Sequence, residues 1–382
     1  MTASVVVVGG GYAGAALAHT LDATFDVCVV EAKDTFFHSV AALRGLTQDD
    51  WAQRIFLDYS GLLERGQVIR DRAVRVDSRG VRTASGRWIT ADFVVLASGS
   101  SYPFPAKMDV DDSGSAIARL TETRADLEAA GRVLLLGAGP VGVELAGEIL
   151  EVWPDKQVTI VDAMADVLSG RYLPELRGEI RAQLGRAGVR LVLGSPLVAP
   201  PAPPSGRLAR FEVSTAAGTG IPADIWFQCY GVRPQSDYLV GDLSGARRAD
   251  GQIDVDEHLR LPGHHTVFAI GDVSVRAESK RVPTAREQAS VVAANIAALA
   301  AGRAPGTTYR PGRADLIVLP FGSAGGASQL EGADGVRVVG AERTSELKGR
   351  DLFLGQFAQM FAPPARDQTQ PAPGATLETS VE

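Results

Sequence analysis

Residues 5–14 read Val5-Val6-Val7-Val8-Gly9-Gly10-Gly11-Tyr12-Ala13-Gly14, four valines followed by glycines at the spacing G-x-G-x-x-G. Successive β-branched residues predict a buried strand, and the alanine-rich residues 13–21 predict a helix after it. Gly9 permits the tight turn out of the strand, Gly11 lets the backbone approach a pyrophosphate, and Gly14 lets the helix pack closely on the sheet. The stretch therefore predicts a strand, a phosphate-binding turn and a helix in succession.

An acidic residue stands where the ribose of a dinucleotide would be bound. The strand predicted over residues 26–31 ends in Glu31, which lies 20 residues after Gly11. An acid at this distance from the motif accepts hydrogen bonds from ribose hydroxyls. We assign Lys33, two residues further on, to the same binding group. The alternative is a glycine-rich turn without a ligand, and it is disfavoured because strand, helix and acid occur together.

The same pattern recurs after Arg132, where a run of apolar residues leads into Gly137-Ala138-Gly139-Pro140-Val141-Gly142. A helix is predicted next, over residues 143–152. The strand predicted after it, residues 157–162, ends in Asp162, 23 residues beyond Gly139. Two correctly spaced motifs, each with its acid, predict two dinucleotide-binding units related as an internal repeat.

Composition and charge are typical of a globular protein. The 382 residues are enough for two or three domains, and 45% of them are hydrophobic. The net charge of −7 and the absence of a long basic run argue against nucleic acid as a partner. Cys28 and Cys229 are far apart and form no C-x-x-C motif, so neither a disulfide framework nor a redox dithiol is expected. We therefore expect a reducing, cytoplasmic location.

The sequence contains no pattern that predicts a membrane anchor. The apolar N-terminus lacks a basic segment, so we expect no signal peptide. The longest uncharged apolar run, residues 289–301, is too short to span a bilayer. Residue 2 is Thr2 rather than glycine, which argues against N-myristoylation. No stable membrane anchor is expected.

Three more strands are predicted, and each ends in a glycine-containing turn. They are residues 91–96 before Ala97-Ser98-Gly99, residues 225–230 before Gly231-Val232-Arg233-Pro234, and residues 266–270 before Gly271-Asp272. A long buried helix is predicted from about Thr284 to Ala301. Residues 310–361 indicate a small α+β unit, and the composition from Pro363 onward predicts a disordered tail.

In chain order these motifs resemble those of flavoproteins with two dinucleotide-binding units. That group includes type II NADH:quinone oxidoreductases, ferredoxin reductases and apoptosis-inducing-factor-like proteins. The nearest resemblance, extending to about residue 361, is to the ferroptosis suppressor proteins and their bacterial relatives. It rests on Val40-Ala41-Ala42-Leu43-Arg44, Pro103-Phe104-Pro105-Ala106-Lys107 and Arg350-Asp351-Leu352-Phe353. The chain departs from the group at Phe37-His38, where a paired histidine is usual, and at Ala97-Ser98-Gly99, where Ala-Thr-Gly is usual.

The resemblance implies an α/β fold with two Rossmann-like dinucleotide-binding domains and a small C-terminal α+β domain. It implies FAD in the first unit and NAD(P)H in the second, and we expect NADH to be preferred to NADPH. The expected division is residues 1–114 and 249–305 for the FAD-binding domain, 115–248 for the NAD(P)H-binding domain, 306–361 for the C-terminal domain, and 362–382 for the disordered tail.

The resemblance also implies roles for particular residues. Asp272 would accept hydrogen bonds from the ribitol of FAD, and the helix N-terminus near Thr284 would lie at the flavin pyrimidine ring. Glu144 would face the nicotinamide as a catalytic residue, with a solvated helix carboxylate as the alternative. The residues expected to bind the cofactors are Gly9, Gly11, Gly14, Glu31, Lys33, Arg44, Ser98, Gly99, Gly137, Gly139, Gly142, Asp162, Gly231, Gly271, Asp272, Thr284 and Ala285.

Alternatives stay open for four further residues. We assign His38 to catalysis and Arg44 to cofactor binding because each could approach the flavin or the acceptor. A structural hydrogen bond is an equal alternative for both. Lys348 and Arg350 could shape an acceptor pocket, but a solvated basic face is favoured. The five histidines show no metal-ligand spacing, so no metal site is expected.

The sequence therefore predicts an FAD-dependent NAD(P)H oxidoreductase that passes hydride from NADH to flavin. Because no redox dithiol is expected, electrons would leave the flavin directly, to a quinone-like acceptor or else to dioxygen. Three alternatives remain: a reductase for a ferredoxin-type protein, an oxygen-using biosynthetic flavoenzyme, and a non-catalytic NADH/flavin redox sensor. A monomer or homodimer is expected.

Overall fold

The computed structural model describes residues 2–275, 282–312 and 315–363. Within these ranges the chain forms two parallel sheets, each flanked by helices, and a smaller antiparallel unit near the C-terminus. The predicted α/β fold is therefore confirmed. The tail expected at residues 362–382 lies outside the described residues, apart from its first two.

The first parallel sheet is built around strand Ser4–Val8. In the described chain it has five strands, in the order Val267–Ala269, Phe93–Leu96, Ser4–Val8, Asp26–Glu31 and Gln67–Arg70. The inner strands are nearly continuous apolar runs because both faces of the sheet are covered, as is usual for parallel sheets.

Different elements cover the two faces of this sheet. Helices Tyr12–Leu21 and Val282–Ala300 pack on one face, where Leu17 and Val292 are fully buried. The opposite face carries a small antiparallel sheet formed by strands Ala73–Asp77, Gly80–Thr83 and Trp88–Thr90. The alternating valines of the central strand thus point into two separate cores.

The second parallel sheet repeats the first. Its described strands have the order Arg190–Leu193, Gln157–Asp162, Arg132–Leu136 and Ile225–Gln228. One face is covered by helices Ser113–Ala129, Pro140–Val152 and Pro174–Arg186. The other face is covered by the hairpin Phe211–Ser214 and Gly220–Ala223.

The second sheet is formed by a segment inserted into the first unit. The chain leaves the first sheet after Phe93–Leu96 and returns to it with Val267–Ala269. The outgoing and returning segments pair as the short antiparallel strands Ser100–Ser101 and Arg233–Pro234. This topology places the two glycine motifs in separate sheets, while the domain boundaries given above stay predictions.

The C-terminal unit packs against the second sheet's main helix, Pro140–Val152. It contains the antiparallel strands Ile317–Phe321, Gly325–Gly332 and Gly335–Val339. Helix Ala341–Thr344, the π-helix Ser345–Gly349 and helix Leu354–Met360 follow. The packing is close at Gly147, where a Cβ would lie 2.4 Å from the Gly322 nitrogen.

Short elements connect these layers. They are strands Thr35–Phe37 and Phe56–Asp58, helices Ala42–Thr47 and Asp49–Arg54, and the 3₁₀ turns Ser39–Ala41, Tyr59–Gly61, Gly241–Ala246 and Gly271–Val273.

The predicted elements agree with the structure except at some ends. Strands Asp26–Glu31 and Gln157–Asp162 have the predicted bounds. The helix predicted from residue 143 begins at Pro140, because proline suits the first turn, where its missing N–H costs no hydrogen bond. The strand predicted over 225–230 ends at Gln228, and the helix expected from about Thr284 is described from Val282.

Candidate active site

Most of the predicted cofactor-binding residues follow the carboxyl ends of the parallel strands. In the first sheet, strands ending at Val8, Glu31, Leu96 and Ala269 lead into the first glycine motif, Lys33, Ser98 and Gly271. Carboxyl ends of neighbouring parallel strands lie along one edge, where open α/β sheets bind their ligands. The fold therefore brings together residues that are widely separated in the sequence.

The outer glycines of both motifs are required by the protein's own packing. Gly9 has φ +102°, and a Cβ on it would lie 2.6 Å from the Ala97 carbonyl oxygen. A Cβ on Gly14 would lie 1.9 Å from the Gly9 carbonyl oxygen. The second motif repeats this geometry, with Gly137 at φ +113° and a Cβ on Gly142 only 2.0 Å from the Gly137 oxygen.

The middle glycines are different, because the protein itself leaves room for a side chain there. Gly11 has φ −71° and Gly139 has φ −76°, and a Cβ on either would meet no atom within 4 Å. Helices Tyr12–Leu21 and Pro140–Val152 begin at these glycines without a side-chain cap. Open space before uncapped N–H groups fits a phosphate, so both loops fit the pyrophosphate of a dinucleotide.

The two acids that we expect to bind ribose hold equivalent positions. Glu31 Oε2 accepts from the Gly10 N–H at 2.6 Å, and Oε1 accepts from the Lys33 N–H at 2.9 Å. Asp162 Oδ2 accepts from the Ala138 N–H at 2.6 Å, and Oδ1 accepts from the Met164 N–H at 2.8 Å. Each carboxylate therefore braces its glycine loop from the end of the neighbouring strand.

The side chain of Lys33 fastens a loop. Its Nζ donates to the Val110 carbonyl at 2.7 Å and to the Met108 carbonyl at 3.3 Å, and lies 3.7 Å from the Asp111 carboxylate. Lys33 contacts the Glu31 carboxylate only through its backbone N–H. The cofactor contact expected of Lys33 stays a prediction.

Asp272 lies in a network of polar groups at the edge of the first sheet. Its Oδ2 accepts from Ser100 Oγ at 2.5 Å and from Lys107 Nζ at 3.2 Å. Lys107 also donates to the Ser100 carbonyl at 2.6 Å. The Ser98 hydroxyl hydrogen-bonds to the Tyr238 hydroxyl at 2.6 Å. The carboxylate is 27% exposed, so it is accessible at this edge.

Three further predicted glycines have left-handed backbone, which favours glycine. Gly99 has φ +66°, Gly231 has φ +104° and Gly271 has φ +72°. The Gly271 N–H donates to Gln288 Oε1 at 2.7 Å, which ties this turn to helix Val282–Ala300.

The beginning of helix Val282–Ala300 contains the predicted residues Thr284 and Ala285. Ala285 is buried in the core between this helix and the first sheet, and Thr284 is partly exposed. Residues 276–281, which precede the helix, lie outside the described residues. The contact expected between the helix N-terminus and the flavin stays a prediction.

Glu144 forms an ion pair with Lys348 of the C-terminal unit. Lys348 Nζ lies 2.7 Å from Glu144 Oε1, and the two side chains are 12% and 16% exposed. The solvated basic face favoured for Lys348 is wrong, because packing of the C-terminal unit brings its ammonium to the helix Pro140–Val152. The solvated carboxylate considered for Glu144 is excluded by the same contact. Arg350 is exposed, as expected.

Arg44 forms a buried ion pair with Glu148. Its Nε and Nη2 donate to the two carboxylate oxygens at 2.9 and 2.8 Å, and the side chains are 2% and 4% exposed. The guanidinium also lies over the Trp51 ring, 5.0 Å from its centroid, and Nη1 donates to the Arg350 carbonyl at 3.3 Å. Burial raises the pKa of Glu148, and the hydrogen bonds from Arg44 oppose that shift. Arg44 therefore has the structural role that was considered as the alternative. The cofactor contact expected of Arg44 stays a prediction.

His38 is fully buried, with hydrogen bonds at both ring nitrogens. Nε2 lies 2.8 Å from the Leu352 carbonyl, so it carries the proton and donates. Nδ1 accepts from the Tyr12 hydroxyl at 3.1 Å, and that hydroxyl accepts from the Val40 N–H. Burial lowers the pKa of His38 to about 4. The catalytic role assigned to His38 is not supported by this geometry, because both nitrogens serve structural hydrogen bonds.

Sequence reasoning missed Ser100, Lys107 and Glu148. Lys107 lies in the stretch Pro103-Phe104-Pro105-Ala106-Lys107, which carried part of the resemblance but was given no role. Glu148 follows Glu144 by one helical turn, and that spacing was a signal that both acids lie on one helix face. Their basic partners come from distant parts of the chain.

The described part of the chain offers neither a membrane-spanning helix nor a metal site. No helix there is long and apolar enough to cross a membrane. Residues 2–275, 282–312 and 315–363 contain no group of three or more metal-ligating side chains that could hold an ion.

Known proteins with similar sequences and structures share this architecture. A family profile described as pyridine nucleotide-disulphide oxidoreductase matches residues 3–289. Ferroptosis suppressor protein 1 of Taeniopygia guttata is 31% identical over 359 residues, which cover 92% of this chain and 94% of that protein.

Two solved structures cover 94% of this chain. The sulfide:quinone oxidoreductase of Aquifex aeolicus has a TM-score of 0.73 at 16% identity, with 91% of its own chain covered. Putidaredoxin reductase, in its covalent complex with putidaredoxin, has a TM-score of 0.64 at 20% identity, with 93% covered. At these identities both structures support the fold.

Proposed function

The chain belongs to the pyridine nucleotide-disulphide oxidoreductase family, and we propose that it oxidises NADH and passes the electrons through FAD to a small quinone-like acceptor. Membership makes it an FAD-dependent NAD(P)H oxidoreductase. The preference for NADH, the acceptor and a cytoplasmic location are parts of the proposal.

The observation that carries the proposal is the pair of equivalent glycine loops. Gly11 and Gly139 leave open space before uncapped helix N-termini, and Glu31 and Asp162 brace the two loops in the same way. When bound, FAD supplies an acceptor for the hydride of NADH and a store for its two electrons. The chain's own task is to bind both dinucleotides, orient them and control access to the site.

Residues of the first sheet edge are suited to hold FAD. The loop at Gly11 would receive the pyrophosphate, Glu31 would accept hydrogen bonds from the adenosine ribose, and Asp272 would accept hydrogen bonds from the ribitol. Lys107 stabilises the negative charge of Asp272, since its ammonium lies 3.2 Å from the carboxylate. As a charged hydrogen-bond acceptor at this edge, the Asp272 carboxylate would orient the cofactor and take no part in the chemistry.

Residues of the second unit are suited to bind NADH. The loop at Gly139 would receive its pyrophosphate, and Asp162 would accept hydrogen bonds from its adenosine ribose. Glu144 lies beyond this loop on helix Pro140–Val152, and its partner Lys348 lies on the C-terminal unit. We place this ion pair beside the nicotinamide, where its fixed charges orient the ring and limit water access.

The acceptor receives electrons without a protein dithiol. Cys28 lies within a strand of the first sheet and Cys229 follows the last strand of the second, and both are free thiols. Burial raises the pKa of Cys28 to about 11 and that of Cys229 to about 12, so neither is a ready thiolate. A small acceptor that meets the flavin directly is therefore favoured.

Steady-state NADH oxidation by the FAD-loaded protein tests the proposal. The acceptor panel contains short-chain ubiquinone and menadione analogues, ferricyanide, a ferredoxin, and oxygen alone with peroxide detection. We expect the highest kcat/KM with a quinone. Higher kcat/KM with the ferredoxin or with oxygen would reject the quinone as the acceptor, and reduction without turnover on any acceptor would indicate a redox sensor.

A further inference from the structure

The segment Ser345–Phe353, which we call the strap, has an unusual backbone. It begins with the π-helix Ser345–Gly349. It ends with two consecutive non-glycine residues in the left-handed region, Leu352 at φ +51° and Phe353 at φ +64°. Short π-helices and left-handed residues other than glycine are disfavoured, and they persist where surrounding contacts hold them.

Alternate residues of the strap are held by different parts of the molecule. Lys348 is paired with Glu144 at 2.7 Å. The Arg350 carbonyl accepts from Arg44 Nη1 at 3.3 Å, and the Leu352 carbonyl accepts from His38 Nε2 at 2.8 Å. The donors to these two carbonyls therefore belong to the first unit, and the carboxylate that pairs with the Lys348 ammonium belongs to the second.

Both first-unit donors are themselves fixed. Arg44 is oriented by two hydrogen bonds to Glu148, which lies one helical turn after Glu144. His38 is oriented by the hydroxyl of Tyr12, the residue that follows Gly11. One chain of contacts thus begins at the FAD-side glycine loop, the other begins on the NADH-side helix, and both end on the strap.

Stability alone does not require a buried ion pair at Arg44. Well-packed apolar residues often replace such pairs without loss, because two charges must be desolvated to form them. The guanidinium, however, has a fixed fork of donors that can serve Glu148 and a third group at once. Here the third group is the Arg350 carbonyl, two residues from Lys348.

We propose that Arg44 and His38 are positioning residues that hold the strap so that Lys348 meets Glu144 at the correct place for hydride transfer. The inference rests on the proposed function, because it requires transfer from NADH to the flavin near this ion pair. Neither residue touches a reacting atom in this scheme. Each acts through a strap carbonyl.

Stopped-flow reduction of the FAD-loaded protein by NADH, without oxygen, separates positioning from binding. The variants are Arg44→Met/Glu148→Met, which removes both buried charges together, His38→Leu, and His38→Gln, whose amide nitrogen can still donate to the Leu352 carbonyl. Arg54→Met is the matched control, because Arg54 also lies over Trp51, at 4.7 Å, but is 54% exposed and pairs with Asp50.

We expect the limiting rate of flavin reduction to fall about 10- to 100-fold in Arg44→Met/Glu148→Met and in His38→Leu, since small misplacements slow transfer strongly. The apparent Kd for NADH should change by less than about threefold, because the binding loop is untouched. His38→Gln should recover most of the rate, and Arg54→Met should match the wild type.

Wild-type limiting rates in Arg44→Met/Glu148→Met and His38→Leu would overturn the positioning role, as would a change in Kd alone. If the double variant does not retain FAD, the comparison of His38→Leu with His38→Gln decides the proposal. A wild-type flavin that dithionite reduces but NADH does not would instead reject the proposed function itself.

Discussion

Glu31 and Asp162 occupy the same position in the two halves of the repeat, and each accepts a 2.6 Å hydrogen bond from the second residue of its glycine loop. Each also accepts a hydrogen bond from the backbone N–H of the residue two positions after it in the sequence. The two units therefore share a hydrogen-bonding pattern as well as the spacing of their glycines. The equivalence allows paired experiments, in which one substitution serves as the control for the other.

Valine at each middle glycine should separate the two cofactor sites. Gly11→Val should abolish FAD retention, whereas Gly139→Val should retain FAD and lose reduction by NADH. Both positions have ordinary φ values and open space around a Cβ, so we expect both variants to fold. Flavin absorbance per mole of protein and stopped-flow reduction are the measurements. A folded Gly11→Val protein with full flavin content would reject the first glycine loop as the FAD site.

Asp162 should make the enzyme prefer NADH. The 2′-phosphate of NADPH beside this carboxylate would be repelled by about 4 kcal/mol at ~4 Å and an effective dielectric of ~20. Relaxation should leave about 1–3 kcal/mol, or roughly 5- to 150-fold in kcat/KM. Arg171 does not offset this repulsion locally, since it contacts Asp315 through its backbone N–H at 3.0 Å and its guanidinium at 3.5 Å.

The test is kcat/KM for both cofactors in the wild type, Asp162→Ala and Asp162→Asn. Asparagine can still accept from the Ala138 N–H, so it removes the charge with less disturbance of the loop. Both variants should move the ratio towards NADPH. An unchanged ratio would show that Asp162 is not the selector.

Glu144→Gln should slow flavin reduction by NADH more than flavin reoxidation. The substitution removes the charge paired with Lys348, and we expect the limiting reduction rate to fall about tenfold, or ~1.4 kcal/mol. Glu151→Gln is the control, because Glu151 lies on the same helix but binds Ser323. Equal slowing of both half-reactions would place Glu144 outside the hydride-transfer site.

Stability should depend on pH through His38. Its folded-state pKa is lowered from 6.5 to about 4 by burial, and Lys348 adds to this while the Leu352 hydrogen bond and Asp351 oppose it. A depressed folded-state pKa means that this contribution to stability is complete above pH ~6.5 and is lost as the pH falls towards ~4. The total loss is about 3 kcal/mol.

Urea unfolding at several pH values between 7.5 and 4 measures this effect. His38→Gln cannot take up a proton at residue 38, so it should lose less stability than the wild type on acidification. His265→Gln, at an exposed histidine, should behave as the wild type does. Identical pH dependence in the wild type and His38→Gln would contradict the prediction.

Local patterns were enough to predict the fold class, the two glycine loops and the acids that follow them. Strand, turn, helix and acid lie within about thirty residues of one another in a βαβ unit, so their spacing reflects the geometry directly. Strands Asp26–Glu31 and Gln157–Asp162 accordingly have their predicted bounds. Gly14 and Gly142 are likewise fixed by close contacts inside their own motifs, with the carbonyl oxygens of Gly9 and Gly137.

The partners of the charged and polar groups were decided by tertiary packing. Arg44 and Glu148 are 104 residues apart, Glu144 and Lys348 are 204 apart, and His38 and Leu352 are 314 apart. No local period relates such residues. Arg44 meets Glu148 because helix Ala42–Thr47 packs against helix Pro140–Val152. The other two pairs depend on how the C-terminal unit packs against the rest of the chain. Burial then sets the pKa of His38 and excludes water from the Arg44–Glu148 pair, and neither effect is present in a residue's identity alone.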